Sequence, residues 1–264
     1  MLPSGGFRDC DSLIFPFVPG TPTMLADSRP DETRVQYVMR QVADYIGKGQ
    51  LKVGDQLPSE AAFGERLGVS RPVVREAFGA LAALNIIDTA NGRRPRVSAL
   101  SSQTLSISLD HAVRTEQITV QQVWETRRCL ETETIALAAV RRSDDEARRI
   151  LDLARAMADA ERGSPGLIEA DIAMHKAIAD ASRNALMAKI IGAFEPLLES
   201  AVPAAWRTRR TDAEHAAIIA KHLEMAETVL RRDAEAARKA MDEHFDRAIG
   251  DMLASSGMVG QGLS

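Results

Sequence analysis

The 264-residue chain has only two cysteines, Cys10 and Cys129, which excludes a disulfide-stapled scaffold and a thiolate zinc cluster and suits a reducing compartment. Aromatic residues are scarce at 4%, while Ala, Leu, Arg and Glu are plentiful, a composition that leans towards helix. No apolar run is long enough to cross a bilayer, and the N-terminus has no basic segment followed by an apolar core and a cleavage site. A cytoplasmic protein without a membrane partner is therefore expected. Excess positive charge is missing too, the formal net charge being −4. That balance argues against a nucleic-acid binder until it is divided along the chain. Residues 31–99 hold ten Lys/Arg against eight Asp/Glu, whereas residues 100–264 hold twenty-one against twenty-six, so the N-terminal part permits a nucleic-acid contact. With 45% hydrophobic and 27% charged residues, the chain has material for two ordinary cores.

The proline-rich stretch 1–30 (Pro3, Pro16, Pro19, Pro22, Pro30) keeps no helical or strand period and reads as a flexible tail; residues 255–264 read as a second. Val35, Val38, Met39, Val42, Tyr45 and Ile46 recur at helical spacing between Arg34 and Lys48. After a break at "GKGQLKVGDQLPSE", Ser59 is placed to cap a short helix to about Leu67, and Ser70 to cap another to about Leu84. Pro72 falls in the first turn of that second helix, where a missing N–H costs little. "NIIDTANGRRPRVSAL" reads as a small hairpin. From about Ser102 onward the spacing predicts helices over 102–113, 119–141, 144–161, 166–181, 184–201, 208–231 and 234–253. The expected fold is mainly α: a winged helix-turn-helix domain with a small β-hairpin over 31–99, then an all-α helical bundle over 100–254.

Two short helices joined by "LGVS", the second rich in Arg, suit DNA because such a helix enters the major groove N-terminal end first. Arg71 and Arg75 share a face at that end, where a guanidinium can grip guanine or phosphate, although each alone is equally an ordinary surface arginine. The stretch "KGQLKVGDQLPSEAAFGERLGVSRPVVREAFGALAALNII" resembles the DNA-binding domain of GntR-family transcription regulators over nearly its whole length. The family's Val–Gly–Asp–x–Leu–Pro–Ser–Glu, Gly–Val–Ser–Arg and Val–Arg–Glu–Ala strings stand at Val53–Glu60, Gly68–Arg71 and Val74–Ala77. The resemblance implies DNA contacts from Ser70, Arg71, Pro72 and Arg75, and from Asn91, Gly92 and Arg93 at the wing tip. Two departures stand out. Ala61 occupies a position where the family commonly has Arg, and "GRRPRV" lacks the wing's second glycine, with Arg93, Arg94 and Arg96 supplying charge there.

The five histidines, His111, His175, His215, His222 and His244, all follow this segment. Asp171 and His175 stack on one helical face. If the helices on either side of "RRD" (231–233) run antiparallel, His222 and His244 reach similar height. Three helices then bring one carboxylate and three imidazoles together, the usual place for a metal in a bundle. Spacing alone leaves this open against separate surface or core histidines. It leaves His215, seven before His222, as a competing ligand, and puts His111 on the surface. Three imidazole nitrogens and one oxygen suit zinc first, with nickel, manganese or iron as alternatives.

"VWETRRCLETETIALAA", "DIAMHKAI" and "KHLEMAETVLRRDAEAARKAMDEHF" resemble the FCD ligand-binding domain of the FadR subfamily. Its metal-binding members use Asp and His four apart, and a His eleven before and eleven after an inter-helix Asp. Asp233 has His222 and His244 at those offsets, so the resemblance implies metal ligands Asp171, His175, His222 and His244, and not His215. It also implies that Arg127, of the Arg127–Glu131 pair, faces the effector pocket, where it suits a carboxylate. The pattern by itself equally reads as a surface pair. Trp124 and Trp206 read as core fillers. The expected protein is a homodimeric regulator acting as a repressor, with operator DNA and a small carboxylate effector as partners. The alternatives are a metal-dependent hydrolase carrying a DNA-binding appendage, disfavoured because no further carboxylate stands beside the ligands as a base, and a direct sensor of the metal.

Overall fold

The computed structural model describes residues 29, 31–89, 93–209 and 211–259, so the tail expected over 1–30 lies almost wholly outside the described residues, as do Asn91 and Gly92 of the wing. The chain divides into two compact units, Met1–Thr104 and Leu105–Ser264.

In the first unit, α1 (Arg34–Lys48) opens on a capping box in which Thr33 accepts from the backbone of Gln36, whose side chain accepts in return from the backbone of Thr33. The helix α2 (Glu60–Leu67) is capped by the Ser59 hydroxyl and closes at Gly68, whose φ of +59° is the left-handed conformation that glycine adopts without strain. Gly64 lets the turn fold back, because a Cβ there would stand 3.2 Å from the Val69 carbonyl oxygen. α3 (Arg71–Ala83) follows. Tyr45, Phe63 and Phe78 tie the three helices together, with successive ring centroids 5.5 Å apart. Val38, Val42, Val74 and Leu81 fill the space around them. β1 (Ile87–Asp88) and β2 (Arg96–Val97) pair antiparallel, and the segment before α2 joins them through Gly54 N–H to Val97 and Leu57 N–H to Pro95. A three-helix core with a small wing results.

Every element among the described residues of the second unit is a helix: α4 (Gln103–Arg114, which begins just before the division), α5 (Val120–Arg141), α6 (Asp144–Asp159), α7 (Pro165–Ala181), α8 (Ala185–Gly192), α9 (Glu195–Arg207), α10 (Asp212–Leu230) and α11 (Ala234–Val259). Its core takes Ile135 and Ala138 from α5, Met174 and Ile178 from α7, Met225 and Val229 from α10, and Met241 and Phe245 from α11. Several boundaries depart from the expected ones, α9 running past 201 to Arg207 and α10 starting at Asp212 instead of 208. The single helix expected over 184–201 is two, because Pro196 in the first turn of α9 lacks an N–H and its ring blocks the preceding turn's carbonyl. α11 runs to Val259, past the expected end, with no proline to stop it. The break at 231–233 lies as expected: Arg232 takes the left-handed turn at φ +60°, and the Asp233 carboxylate accepts from Ala236 N–H at 3.0 Å to start α11.

Candidate metal centre and DNA-binding face

Asp171 and His175 lie on the buried face of α7 together with Leu167, Met174 and Ile178. His222 sits among Ile218, Met225 and Val229 on α10, and His244 beside Phe245 on α11. All four polar side chains are buried. The imidazole centroids are 5.9 Å (His175–His222), 5.2 Å (His175–His244) and 4.7 Å (His222–His244) apart. One nitrogen from each histidine lies within 4.8 Å of the other two. Asp171 Oδ1 is 3.4 Å from His175 Nε2 and 3.5 Å from His222 Nε2. Ligands about 2.0–2.2 Å from one ion stand roughly 3–3.5 Å from each other, so a small inward closure suffices.

The proton positions sharpen this. Glu131 accepts from His175 Nδ1 and, at its other oxygen, from Arg127 Nε at 2.7 Å. The Ile218 carbonyl accepts from His222 Nδ1 at 2.9 Å. Both rings therefore place a proton on Nδ1 and face Asp171 Oδ1 with Nε2. His222 Nε2 and His244 Nδ1 are buried and make no hydrogen bond. Burial raises Asp171, but the neighbouring His222, His175 and His244 imidazoles outweigh it and hold the carboxyl well below its usual range. Burial pushes His244 well below its ordinary value, and the charges of His222 and His175 add to this against the opposing pull of Asp171. Three imidazoles and a carboxylate thus converge in a buried space, an arrangement that a cation satisfies.

In the metal-free protein the depressed His244 makes stability pH-dependent. Its folded pKa lies below the ordinary 6.5, so the unfolded chain binds the extra proton. This contribution is fully present above that value and is lost as pH falls below it towards the folded value, by at most ~1.4 kcal/mol per pH unit. Denaturation of metal-stripped wild type beside His244→Asn, from neutral to mildly acidic pH, checks this: the variant lacks that part of the slope.

Several expectations need correction. Arg127 lines the cavity and is buried with Glu131, 2% and 1% exposed respectively, so the alternative of a surface pair falls. Glu131 is a carboxylate beside the ligands that spacing did not pick out as one of the site, and both its oxygens are engaged. Burial raises it, while the charges of Arg127 and His175 prevail and keep it ionised. Trp206 is more than filler: its Nε1–H donates to Asp171 Oδ2 at 2.8 Å and its ring lies over His222. Trp124 is also buried at the cavity, under the Arg127 guanidinium, 4.8 Å from ring centroid to Cζ. Trp124 Nε1 and Arg127 Nη1 are buried donors without a hydrogen-bond partner. His215 stands outside the three-histidine group, against the Trp206 ring at 5.2 Å, and His111 is exposed. The carboxylate of Glu131 was legible only as an i,i+4 partner of Arg127, since its second contact spans helices.

On the first unit, Arg71, Pro72 and Arg75 are exposed at the start of α3, as is Arg93 in the wing. Ser70 has the extended backbone of an N-cap, yet its hydroxyl makes no capping bond and stays available. Arg75 lies 3.7 Å from Glu60, a loose pair in solvent. Arg96 is partly committed, donating to the Gly54 carbonyl at 2.6 Å.

A winged helix-turn-helix unit followed by a helical unit with a buried polar centre defines an effector-responsive DNA-binding regulator. The profile of bacterial regulatory proteins of the gntR family matches residues 35–97, and that of the FCD domain matches residues 122–247. The chain is similar to the HTH-type transcriptional regulator LutR of Bacillus subtilis, 34% identical over 58% of this chain and 70% of that protein. It is also similar to the Glc operon transcriptional activator of Escherichia coli K12, 30% identical over 81% of this chain and 87% of that protein. The HTH-type transcriptional repressor NanR of Cronobacter sakazakii is 24% identical over 80% of this chain and 82% of its own. Among solved structures, a GntR protein of Streptococcus agalactiae superposes with a TM-score of 0.59 at 23% identity, over 82% of this chain and 99% of that one, which shows the shared fold. The chain belongs to the GntR family of transcription regulators, in its FadR-like branch with an FCD effector-binding domain. It is a DNA-binding regulator and not an enzyme, as its relatives are, so the hydrolase alternative falls. No helix among the described residues is long and apolar enough to cross a membrane.

Proposed function

We propose that the regulator acts in the cytoplasm as a homodimeric repressor, and that Asp171, His175, His222 and His244 hold one divalent metal ion, zinc first among the candidates. The observation that carries the metal is the meeting of His175 Nε2, His222 Nε2 and Asp171 Oδ1 in a buried space, with the other nitrogen of each ring held by Glu131 or the Ile218 carbonyl. A bound divalent ion would supply a Lewis-acid anchor for an oxygen ligand. Beside it, Trp124 Nε1 and Arg127 Nη1 are buried donors awaiting an acceptor, which favours a carboxylate effector over metal sensing alone. The acid shifts operator binding only to the extent that it prefers one arrangement of the DNA-binding units. A thermal-shift screen of small carboxylates on metal-loaded and metal-stripped protein tests this. Stabilisation is expected only in the loaded protein, and no response to any carboxylate overturns the effector reading. A promoter reporter that rises when the acid is supplied supports repression; one that falls on loss of the regulator points to activation.

Ser70, Arg71, Pro72, Arg75, Asn91, Gly92 and Arg93 are the proposed DNA contacts. Arg71→Ala is expected to weaken operator binding by about 1–3 kcal/mol if it reads a base, or to reduce the salt slope by about 1 if it grips a phosphate. Gel shifts on the operator and on unrelated DNA at two salt concentrations separate the two modes, and unchanged affinity in all of them removes Arg71 from the interface.

A further inference from the structure

We infer that a second anion subsite adjoins the metal cavity and that the effector carries two acidic groups; this rests on the reading of the metal centre as an acid-binding site. The cavity among the metal ligands measures about 20 Å³, room for one ion or water molecule and none for an organic acid. Trp206 and Arg209 line it, and the same two residues line a neighbouring chamber of about 400 Å³. That is the size of a small-molecule site. The charged lining of this chamber is Arg162, Arg207 and Arg209, with no carboxylate, while Ile168, Pro203 and Trp206 supply apolar wall.

Around Arg162 and Arg207 the positive field is only weakly opposed. Asp212 accepts from Arg162 Nη1 at 3.1 Å but is fully exposed, and Arg162 spends its other terminal nitrogen on the Arg209 carbonyl. Arg207 is exposed and makes no ion pair among the described residues. Burial first, then Arg162 and to a lesser degree Arg209, hold the adjacent His215 below its ordinary value against the opposing pull of Asp212. The partition is Trp206, which is tied to the ligand Asp171 through its indole N–H and shares its faces with His222 and His215. One acidic group at the metal, facing Trp124 and Arg127, thus leaves the rest of a short chain directed past Trp206 towards guanidinium groups. Their planar fork suits a carboxylate or a phosphoryl group equally.

The test is calorimetric titration of the metal-loaded full chain with paired probes: glutarate beside pentanoate, and phosphoglycolate beside glycolate. The doubly acidic member is expected to bind about tenfold tighter or more, the effect of one further charge-assisted hydrogen bond, in at least one pair, and that pair tells which group the chamber takes. Arg207→Gln and Arg162→Gln are each expected to bring that preference towards unity, with bound metal measured alongside to show the centre intact. Equal affinities within both pairs overturn the second subsite, as does a variant that weakens both members of a pair alike. Binding of pentanoate or glycolate that requires metal, without any preference for the second acid, leaves the effector reading standing and removes the subsite alone. Failure of every probe to bind overturns both.

Discussion

Replacing His222 and His244 together by alanine is expected to take the purified protein from about one divalent ion per chain to background, by the one-site reading of the centre. Each variant position loses a buried nitrogen that makes no hydrogen bond in the folded protein. The remaining Asp171 and His175 come from one helix and offer only half the set. Metal analysis of dialysed protein reads the result directly. Thermal unfolding supplies a second measure: metal at a thousand times its Kd stabilises the wild type by about 4 kcal/mol, and the double variant should melt alike with and without it. A variant that keeps its ion refutes the site. Some loss of packing accompanies the substitution, since both rings are buried, but packing alone does not make unfolding insensitive to added metal.

Glu131→Ala is expected to be the most destabilising single change in the centre, costing about 3–5 kcal/mol, because it leaves the Arg127 guanidinium buried without its counter-ion. That is a large fraction of the ~5–15 kcal/mol that holds a typical domain. The same change removes the acceptor that sets the His175 tautomer, so metal affinity should fall by roughly 10–100-fold. Glu131→Gln keeps an acceptor for one of the two partners and should lie between wild type and Ala in both respects. Denaturant titration together with competition for metal by a chelator measures the two effects separately. Wild-type stability in Glu131→Ala would mean that Arg127 finds water or another partner, and the pair would then not organise the centre.

Much of the site was readable along the chain because its geometry is nearly one-dimensional. Asp171 and His175 share a face through helical periodicity, and Asp233 marks the turn about which His222 and His244 are spaced evenly. The start of α2 was legible for the same local reason, since Ser59 caps the backbone three residues on, whereas Ser70, expected to cap α3, makes no such bond. Other features were not. Glu131 read as half of an i,i+4 pair, yet its second oxygen meets His175 on another helix. Trp206 read as filler, yet it holds the second oxygen of Asp171. His215 fitted the α10 spacing of His222, but its rotation on the helix carries it to Trp206 instead of the histidine group.

By itself the sequence determined the winged helix-turn-helix, the helical second unit, the Ser59 cap and the four prospective ligands. Each of these depends on residues a few positions apart, or on strings that a family shares. Only the tertiary structure decided which nitrogen of each imidazole is free, which carboxylate orients His175, and that arginines from two separate stretches, Arg162 and Arg207–Arg209, line one chamber beside the metal cavity. Those relations are set by how helices pack across long sequence separations, where no local period carries the information.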